Sequence, residues 1–342
     1  MKILVTVDPE IPVPPKFYGG IERIVDRLIH ELRKRAHVVA LLAHPDSDCP
    51  VDYLRAWPAV SDTPMRHASR ALTLLRAVQS FRPQVVHSFS RLGYLLPILP
   101  QRLPKLMSYQ RHTGGKQIRL AGKLGGKSLA FTGCSEFIAG MGRRWGSQWS
   151  AIPNFVDTDF YTFRATVAAD APLVFLSRLE RIKGAHTAIA VARKAGRRLV
   201  LAGNRVTTEE GQAYWNTEIE PFLNKDGIEY VGPVNDEQKN KLLGSAAATI
   251  VPIEWKEPFG IVFAEALACG TPVVSCPHGA LPEIVTNGKH GFLINNVAEG
   301  LEAVRRLGEI DRSECRLHVE ERFSSKIVVD QYERLYSRLL AA

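Results

Sequence analysis

The stretch Trp255–Val274, WKEPFGIVFAEALACGTPVV, predicts the fold of the second half of the chain. The apolar runs on either side of its polar start, 247–252 and 272–276, are typical of buried strands. Between them, Pro258 suits the first turn of a helix and Gly270 suits its end. We therefore expect strand, helix and strand in a βαβ unit, with a ligand crevice at the carboxyl ends of the strands.

Two carboxylates in this stretch, Glu257 and Glu265, lie eight residues apart. If Pro258 opens the helix, Glu257 lies at its N-terminus, and eight residues make a little over two turns, which places Glu265 roughly beneath Glu257 on one face. A carboxylate at a strand end can accept hydrogen bonds from sugar hydroxyls. For any single Glu, a solvated helix charge is the more common interpretation. That interpretation suits Glu265 less well, because the residues that follow it are small and apolar.

The pattern E-P-F-G-x4-E-A-x-A-C-G-x-P-V-V resembles the E-x7-E signature of the retaining glycosyltransferases of family 4, the glycosyl transferases group 1. The resemblance implies an α/β GT-B fold, in which two Rossmann-like, doubly wound domains face each other across a cleft. We expect an acceptor-side domain at 1–165 and a nucleotide-sugar-binding domain at 172–320. A C-terminal helix at 321–342 is expected to cross back to the first domain.

The resemblance also assigns roles to residues of the signature. It implies that Glu257 contacts hydroxyls of the donor sugar and that Glu265 contacts the ribose. Phe259 and Gly260, which lie between them, are expected in the same donor site. A later turn, His278–Val285, matches the family's G-G-x-x-E-I-V pattern except that Ala280 replaces the second glycine.

Two cations, Arg178 and Lys183, follow the first strand predicted for the second domain. A loop cation pair before a helix suits a diphosphate, because Arg binds as a fork and Lys as a point charge. On spacing alone, surface charges are the more common interpretation. The resemblance to the family's G-R-x4-K-G element assigns both residues to the donor diphosphate. It likewise implies that Gly203 and Val231 border the nucleotide base.

A glycine pair, Gly19 and Gly20, separates the first predicted strand from an amphipathic helix that reaches Leu32. This layout is typical of an anion site, although turns also use glycine pairs freely. By resemblance, the loop faces the donor diphosphate and the acceptor. His112 follows another predicted strand in a glycine-flanked turn, where a lone histidine is more often structural or exposed. The resemblance instead places His112 against the donor sugar.

Positive charge is concentrated in the first half of the chain. Residues 1–165 contain 23 Lys and Arg against 12 Asp and Glu, whereas residues 166–342 contain 21 against 23. Residues 63–135 contain twelve basic residues and no acidic one. Within them, four cations recur at spacings of three, four and four, so a helix would align them as one stripe: Lys116, Arg119, Lys123 and Lys127. A solvated face and an anionic-membrane or acceptor surface both remain open.

The five cysteines are scattered and odd in number, which favours reduced thiols in a cytoplasmic protein and argues against zinc. No apolar run approaches the ~18 residues of a membrane span. We expect no metal, because Asp46-Ser-Asp48 and Asp157-Thr-Asp159 have a chelating spacing but lie in loops. No cofactor is expected beyond a UDP-, GDP- or ADP-sugar donor. A peripheral position at the inner face of the membrane is the alternative to a freely cytoplasmic one.

The sequence therefore predicts a hexosyltransferase that moves a sugar from a nucleotide-diphosphate donor to an acceptor hydroxyl with retention of configuration. The catalytic residues would be His112, Arg178, Lys183 and Glu257. The acceptor class stays open among a sugar, a lipid-linked molecule and a phosphorylated small molecule. A nucleotide-sugar epimerase of similar fold and a non-catalytic protein that binds anionic surfaces are the alternatives. Nucleic acid is not expected as a partner, because no aromatic residues interleave the basic ones.

Overall fold

The computed structural model describes residues 1–16, 19–59 and 65–342. Its contacts divide into two compact units, one formed by Met1–Asn154 with Ser325–Ala342 and the other by Phe155–Ser324. The segment 155–165, which we expected in the first domain, therefore has its contacts within the second unit. Each unit has a parallel sheet flanked by helices.

The described strands form two sheets, and their bounds are as follows: β1 Lys2–Thr6, β2 Val38–Ala43, β3 Tyr53–Ala56, β4 Val85–Ser88, β5 Lys105–Tyr109, β6 Leu129–Gly133, β7 Trp149–Ala151, β8 Leu173–Leu176, β9 Leu199–Ala202, β10 Ile228–Tyr230, β11 Ala248–Val251, β12 Val273–Ser275 and β13 Gly291–Leu293. The described α-helices have these bounds: α1 Gly20–Lys34, α2 Met65–Phe81, α3 Lys116–Gly125, α4 Glu136–Arg143, α5 Ala185–Ala195, α6 Glu209–Glu218, α7 Asp236–Ser245, α8 Ile261–Ala268, α9 Leu281–Ile284, α10 Val297–Arg305, α11 Arg312–Arg322 and α12 Ser325–Leu340.

Both sheets have the same kind of strand order. The first is β3-β2-β1-β4-β5-β6-β7 and the second is β10-β9-β8-β11-β12-β13. In the register of the first sheet, Leu4 lies between Ala40 and Val86. The order reverses once in each sheet, between β1 and β4 and between β8 and β11. In doubly wound folds such a switch point is where ligands bind, outside the carboxyl ends of the strands.

Helix α12 completes the core of the first unit. Its Tyr336 hydroxyl lies 2.6 Å from Nδ1 of His87, and the Ser108 hydroxyl lies 2.7 Å from Nε2 of the same ring. His87 is fully buried, and burial lowers the pKa of its imidazole to about 3. The neutral ring therefore holds β4, β5 and α12 together, which is a structural role.

The βαβ unit predicted around Trp255–Val274 is present as β11, α8 and β12, but the predicted start of its helix is wrong. Helix α8 begins at Ile261 rather than at Pro258, because Gly260 adopts a left-handed conformation with φ of 89° at the N-cap. Glu257 consequently lies in the loop before the helix. Helical periodicity from Glu257 to Glu265, on which the prediction of a shared face depended, therefore does not apply.

Helix α3 forms over the basic segment despite its glycines. Within the described ranges, the protein has no helix that combines the length and the apolar character needed to span a membrane.

Candidate active site

The loops that follow β8 and β11 meet at the switch point of the second unit. The Glu254 amide donates to the Ile182 carbonyl at 2.8 Å, which joins the two loops through their backbones. Gly184 has φ of +78°, and a Cβ there would lie 2.0 Å from the Pro252 carbonyl oxygen. Only glycine permits this approach. The close backbone contact fixes Lys183, the preceding residue, beside the end of β11.

Glu257 is held through one carboxylate oxygen by two donors. The Lys183 ammonium lies 2.7 Å from Oε2, and the Trp255 indole donates to the same oxygen at 2.8 Å. The ammonium also lies 4.5 Å from the centre of the Trp255 ring, a favourable cation–π contact. Oε1 of Glu257 makes no hydrogen bond with the residues that the structure describes. The side chain is thus oriented while one oxygen can still accept from a ligand hydroxyl.

The backbone of Glu257 is fixed by the turn after β12. Its carbonyl accepts a hydrogen bond from the Ala280 amide at 2.9 Å. Glu257 and Gly279 also form a parallel β-bridge. Gly279 has φ of +66°, and a Cβ there would lie 2.2 Å from the Glu257 carbonyl oxygen. Ala280 has φ of −86° and is buried. Alanine at 280 is therefore compatible with the turn, whereas the glycine at 279 is required.

Glu265, on α8, repeats the arrangement seen at Glu257. The Tyr161 hydroxyl donates to Oε1 at 2.6 Å, and the Lys239 ammonium forms an ion pair with the same oxygen. Lys239 also lies 5.6 Å from the centre of the Tyr161 ring. Within the described ranges, Oε2 of Glu265 makes no hydrogen bond. Each carboxylate therefore has a lysine and an aromatic donor on one oxygen and an available second oxygen.

The other predicted donor residues lie at neighbouring strand ends. Arg178 is half-exposed, and its guanidinium lies 2.6 Å from Oε1 of Glu180. Gly203 has φ of +133°, and a Cβ there would lie 1.9 Å from the Ser177 carbonyl oxygen. Val231 directly follows β10 and is 43% exposed. The second sheet thus brings an exposed apolar side chain and a glycine backbone to adjacent strand ends.

Phe259 and Gly260 contribute differently from each other. The Phe259 side chain is buried and packs edge-on against Phe323, with ring centres 5.6 Å apart. Only its backbone can therefore face a ligand. Gly260 begins α8 in its left-handed conformation, where a Cβ would lie 2.5 Å from the Phe263 ring.

The first unit has a cavity of about 280 Å³ at the carboxyl ends of β4 and β5. Its polar lining includes Ser90, Arg91, Tyr109, Gln110, Arg111 and Gln117. Burial raises the pKa of the Tyr109 phenol to about 12, so this group is a neutral hydrogen-bond donor at neutral pH. The cavity is large enough for a small polar molecule.

In this part of the first unit, several buried polar atoms lack partners among the described residues. Both amide atoms of Gln110 are buried without a hydrogen bond, and so are Oδ1 of Asp8 and the Thr113 hydroxyl. The other Asp8 oxygen accepts from Arg111 at 3.1 Å. Burial is the main cause that raises the pKa of Asp8, with Glu10 adding to it and Arg111 opposing it. Such atoms cost stability unless a ligand satisfies them.

Gly19 and His112 lie near the same edge of the first sheet. Gly19, at the N-cap of α1, has φ of +153°, and a Cβ there would lie 2.6 Å from the Pro15 Cβ. Gly20 is the first residue of α1. His112 is exposed beyond the end of β5, and its ring packs edge-on against Phe137 at 5.7 Å.

One group in the described part of the chain could hold a metal: Asp26, His30 and Cys49 place three ligand atoms within 4.8 Å of one another. Nδ1 of His30 already lies 2.8 Å from the Asp26 carbonyl oxygen. Burial raises the pKa of the Cys49 thiol well above its usual range. Because the thiolate is the form that binds metals, a hydrogen-bonded cluster is the better description.

Sequence reasoning missed the residues that hold the two carboxylates. Trp255 belongs to the signature stretch, but its two-residue spacing from Glu257 carries no general signal. Lys239 and Tyr161 are 26 and 104 residues from Glu265. A single sequence offers no pattern that would pair them. Gln110 was likewise missed, because its importance depends on its buried, unpartnered amide.

Comparison with known families matches each half of the chain to glycosyltransferases. The family model "Glycosyltransferase Family 4" matches residues 18–160, and "Glycosyl transferases group 1" matches residues 165–316. A glycogen synthase of Mycobacterium tuberculosis is 27% identical over 333 residues, which cover 81% of this chain and 79% of that protein.

Two solved structures illustrate the similarity of fold. AviGT4, a glycosyltransferase involved in avilamycin A biosynthesis, aligns with a TM-score of 0.73 and 26% identity over 100% of this chain and 98% of its own. Anabaena Alr3699/HepE, solved in complex with UDP-glucose, aligns with a TM-score of 0.74 and 18% identity over 98% and 99%. These structures and the two doubly wound sheets show the GT-B fold. The two family models, which match residues 18–160 and 165–316, show that the chain belongs to the family 4 glycosyltransferases, the glycosyl transferases group 1.

Proposed function

We propose that this glycosyltransferase moves a hexosyl residue from a nucleoside diphosphate sugar to an acceptor hydroxyl with retention of the anomeric configuration. The observation that carries the proposal is the Lys183–Glu257 pair at the switch point of the second unit. In this pair, an ammonium group suited to bind phosphate lies 2.7 Å from a carboxylate suited to bind sugar hydroxyls.

Arg178 and Lys183 would bind the donor diphosphate. As the bond from sugar to phosphate breaks, negative charge grows on the leaving diphosphate, and fixed cations stabilise it. A well-placed donor contributes about 3 kcal/mol to such a transition state. Lys183 is held by loop packing and is 9% exposed, so little reorganisation is needed when the charge develops. Arg178 is half-exposed and supplies a planar fork for two phosphate oxygens.

Glu257 and Glu265 would recognise hydroxyls on the two ends of the donor. The available oxygen of Glu257 suits a hydroxyl of the hexose, and that of Glu265 suits a ribose hydroxyl. Gly203 and Val231 would border the base, where Val231 offers apolar contact. Gly260 and the backbone of Phe259 complete this set, because the left-handed turn brings main chain close to Glu257.

The acceptor would use the cavity of the first unit. Gln110 can both donate and accept hydrogen bonds, which favours a ligand that is rich in hydroxyl groups. The Gly19–Gly20 loop would face the donor diphosphate and the acceptor. His112 would lie against the donor sugar. A sugar, a lipid-linked molecule and a phosphorylated small molecule all remain candidate acceptors. A cytoplasmic location, with peripheral contact at an anionic membrane, accords with the basic first half.

A thermal-shift panel tests the donor proposal. UDP, GDP, ADP and dTDP and their common sugars would each be added to the full chain and to the Lys183→Ala and Glu265→Ala variants. At a hundredfold excess over Kd, a true ligand adds about 2.7 kcal/mol of stability. UDP-glucose is the first donor to test, since the neighbour Alr3699/HepE was solved with it. A shift that both variants lose supports the site, and no shift with any nucleotide contradicts the proposal.

Proton NMR of donor hydrolysis tests retention without a known acceptor. With water in place of the acceptor, an α-linked donor should first release the α-anomer of the sugar, before mutarotation. First release of the β-anomer would contradict retention. Formation of an epimerised nucleotide sugar, with no free sugar, would instead support the epimerase alternative.

A further inference from the structure

We propose that the exposed face of α3 docks the protein on an anionic lipid membrane. The docking face consists of Lys116, Arg119, Leu120, Lys123 and Leu124, and Lys127 in the turn that follows extends it. All six residues are exposed. The proposal goes beyond the transferase reaction and does not depend on which donor or acceptor the site uses.

Helical geometry places these residues on one face. With about 100° of rotation per residue, the five docking residues of α3 fall within an arc of about 140°. The residues that α3 buries, Ile118, Ala121 and Gly125, lie on the opposite side. Two of them, Ile118 and Ala121, belong to the hydrophobic core cluster of the first unit. The helix is therefore anchored by one face and presents the other to solvent.

The docking face is both cationic and apolar. Leu120 is 55% exposed and Leu124 is 44% exposed. Among the described residues, no carboxylate pairs with Lys116, Arg119, Lys123 or Lys127. The sequence from 63 to 135 has no acidic residue that could offset their charge. The positive potential of this face is thus available to an external anion.

This combination fits a bilayer better than other polyanions. Interfacial helices place leucines at the boundary between headgroups and acyl chains while adjacent lysines contact anionic headgroups. Binding to single-stranded nucleic acid would require exposed aromatic rings between the cations for base stacking. The exposed apolar residues between these cations are leucines, which cannot stack on bases. The Trp145 ring, 6.0 Å from the Arg119 guanidinium, is partly buried against the core of the first unit.

Vesicle co-sedimentation of the full chain tests the proposal. We expect binding to phosphatidylcholine vesicles that contain about a third phosphatidylglycerol and little binding to phosphatidylcholine alone. Raising the salt from about 0.1 M to about 1 M shortens the screening length from ~10 Å to ~3 Å and should release the protein. Each neutralised lysine should weaken binding about fivefold, so Lys116→Gln, Lys123→Gln and Lys127→Gln together should weaken it about 100-fold.

Matched variants in the second unit serve as controls. Lys194, Lys225 and Lys241 are exposed, and their combined change to Gln removes the same charge. Leu317, which is 45% exposed, is the control for Leu120→Gln and Leu124→Gln, which should also weaken binding. Nucleotide-induced thermal shifts should be the same in all variants, so a failure of docking is distinguishable from a failure of the donor site.

Three results would overturn the proposal. The first is equal binding to both vesicle types, the second is equal loss in the docking-face and control variants, and the third is binding to heparin without binding to anionic vesicles.

Discussion

The two switch points have the same topology but satisfy their polar groups differently. In the second unit, Glu257 and Glu265 each have a lysine and an aromatic donor on one oxygen. In the first unit, the buried amide of Gln110 and one oxygen of Asp8 have no partner among the described residues. The second-unit site therefore fixes each carboxylate through one paired oxygen and leaves its second oxygen available, whereas the first-unit site contains a buried side-chain amide with no partner on either atom in the described part of the chain.

This difference suits two kinds of ligand. A donor diphosphate carries charge, and a site with fixed, paired charges binds it without large rearrangement. A hydroxyl-rich acceptor is neutral at the reacting group and is recognised by hydrogen bonds that the protein leaves unmade. Such unmade hydrogen bonds lower the stability of the first unit, because unsatisfied buried groups are unfavourable in the folded state. Four substitutions test the comparison.

Glu265→Ala should have the largest effect on stability. It removes the more buried of the two described carboxylates that pair with the Lys239 ammonium and leaves Asp236, 3.3 Å away, as the remaining partner; the Lys239 and Glu265 side chains are 11% and 6% exposed. Breaking such a buried pair from one side costs about 3 kcal/mol, which urea unfolding can measure. Glu229→Ala, at an exposed residue of β10, is the control and should cost less than about 0.5 kcal/mol. Equal losses for the two variants would show that the pair contributes nothing.

Glu257→Ala should weaken binding of the nucleotide sugar while leaving binding of the free nucleotide nearly unchanged. Loss of a hydrogen bond to a charged group costs about 1.5 to 3 kcal/mol, so affinity for the nucleotide sugar should fall about 10- to 100-fold. Affinity for the free nucleoside diphosphate should change little, because Lys183 keeps its contact with the Trp255 ring. Calorimetric titration with both ligands measures this, with Glu254→Ala as the control. An equal loss for both ligands would refute the assigned role.

Gln110→Leu should change the free energy of unfolding in the opposite direction to Glu265→Ala. Removing a buried amide without protein partners should leave the free energy of unfolding unchanged or raise it by up to about 1 kcal/mol. Once an acceptor is identified, its KM should rise in this variant while donor affinity stays constant. Gln101→Leu, at an exposed position of the same unit, is the matched control. A clear destabilisation by Gln110→Leu would mean that the amide is already satisfied.

Asp8→Asn should have the smallest effect, visible as a pH dependence. The folded protein raises the pKa of Asp8 above its ordinary value of 3.8, chiefly by burial. The stability that the protonated form contributes is present below 3.8 and is lost as pH rises through the raised pKa. Asn does not titrate. The stability of the parent relative to the variant should therefore fall in urea unfolding as the pH rises from about 4 through the raised pKa.

Groups around Asp8 must be considered in that experiment. Glu10, Arg91 and Arg111 act on its carboxylate, and Glu22 has its own pKa raised chiefly by burial. The stability of the parent relative to Glu22→Gln should therefore also fall as the pH rises. A difference that is constant with pH, or that grows in favour of the parent as pH rises, would contradict the burial of Asp8.

The sequence predicts the second unit better than the first. Its signature residues are close in the chain, so βαβ patterning and family resemblance identify the strands and the Glu257 loop together. The start of α8 is wrong by three residues, because a left-handed Gly260 outweighs the preference of Pro258 for a first turn. Partners such as Lys239 and Tyr161 depend on tertiary contacts, which no local spacing encodes.

In the first unit the strands were largely predictable and the cavity was not. Its defining feature is the burial of the Gln110 amide and of Asp8 Oδ1 without partners among the described residues, and burial of single polar atoms is a property of packing alone. The row of cations on α3 was predictable in part, unlike the strands, which were largely predictable, and the cavity, which was not. The spacing of the cations predicts alignment on a helix, while the exposure of Leu120 and Leu124 required the structure.

The most direct test of the central claim compares two cations that are two residues apart. Lys183 is buried against Glu257, whereas the Arg181 side chain is 52% exposed and pairs with Glu218. Calorimetric titration of the nucleoside diphosphate selected by the panel should show about 100-fold weaker binding in Lys183→Ala. Binding in Arg181→Ala should stay within about twofold of the parent, which corresponds to ~0.4 kcal/mol. Equal affinities in the two variants would contradict a donor site at the switch point of the second unit.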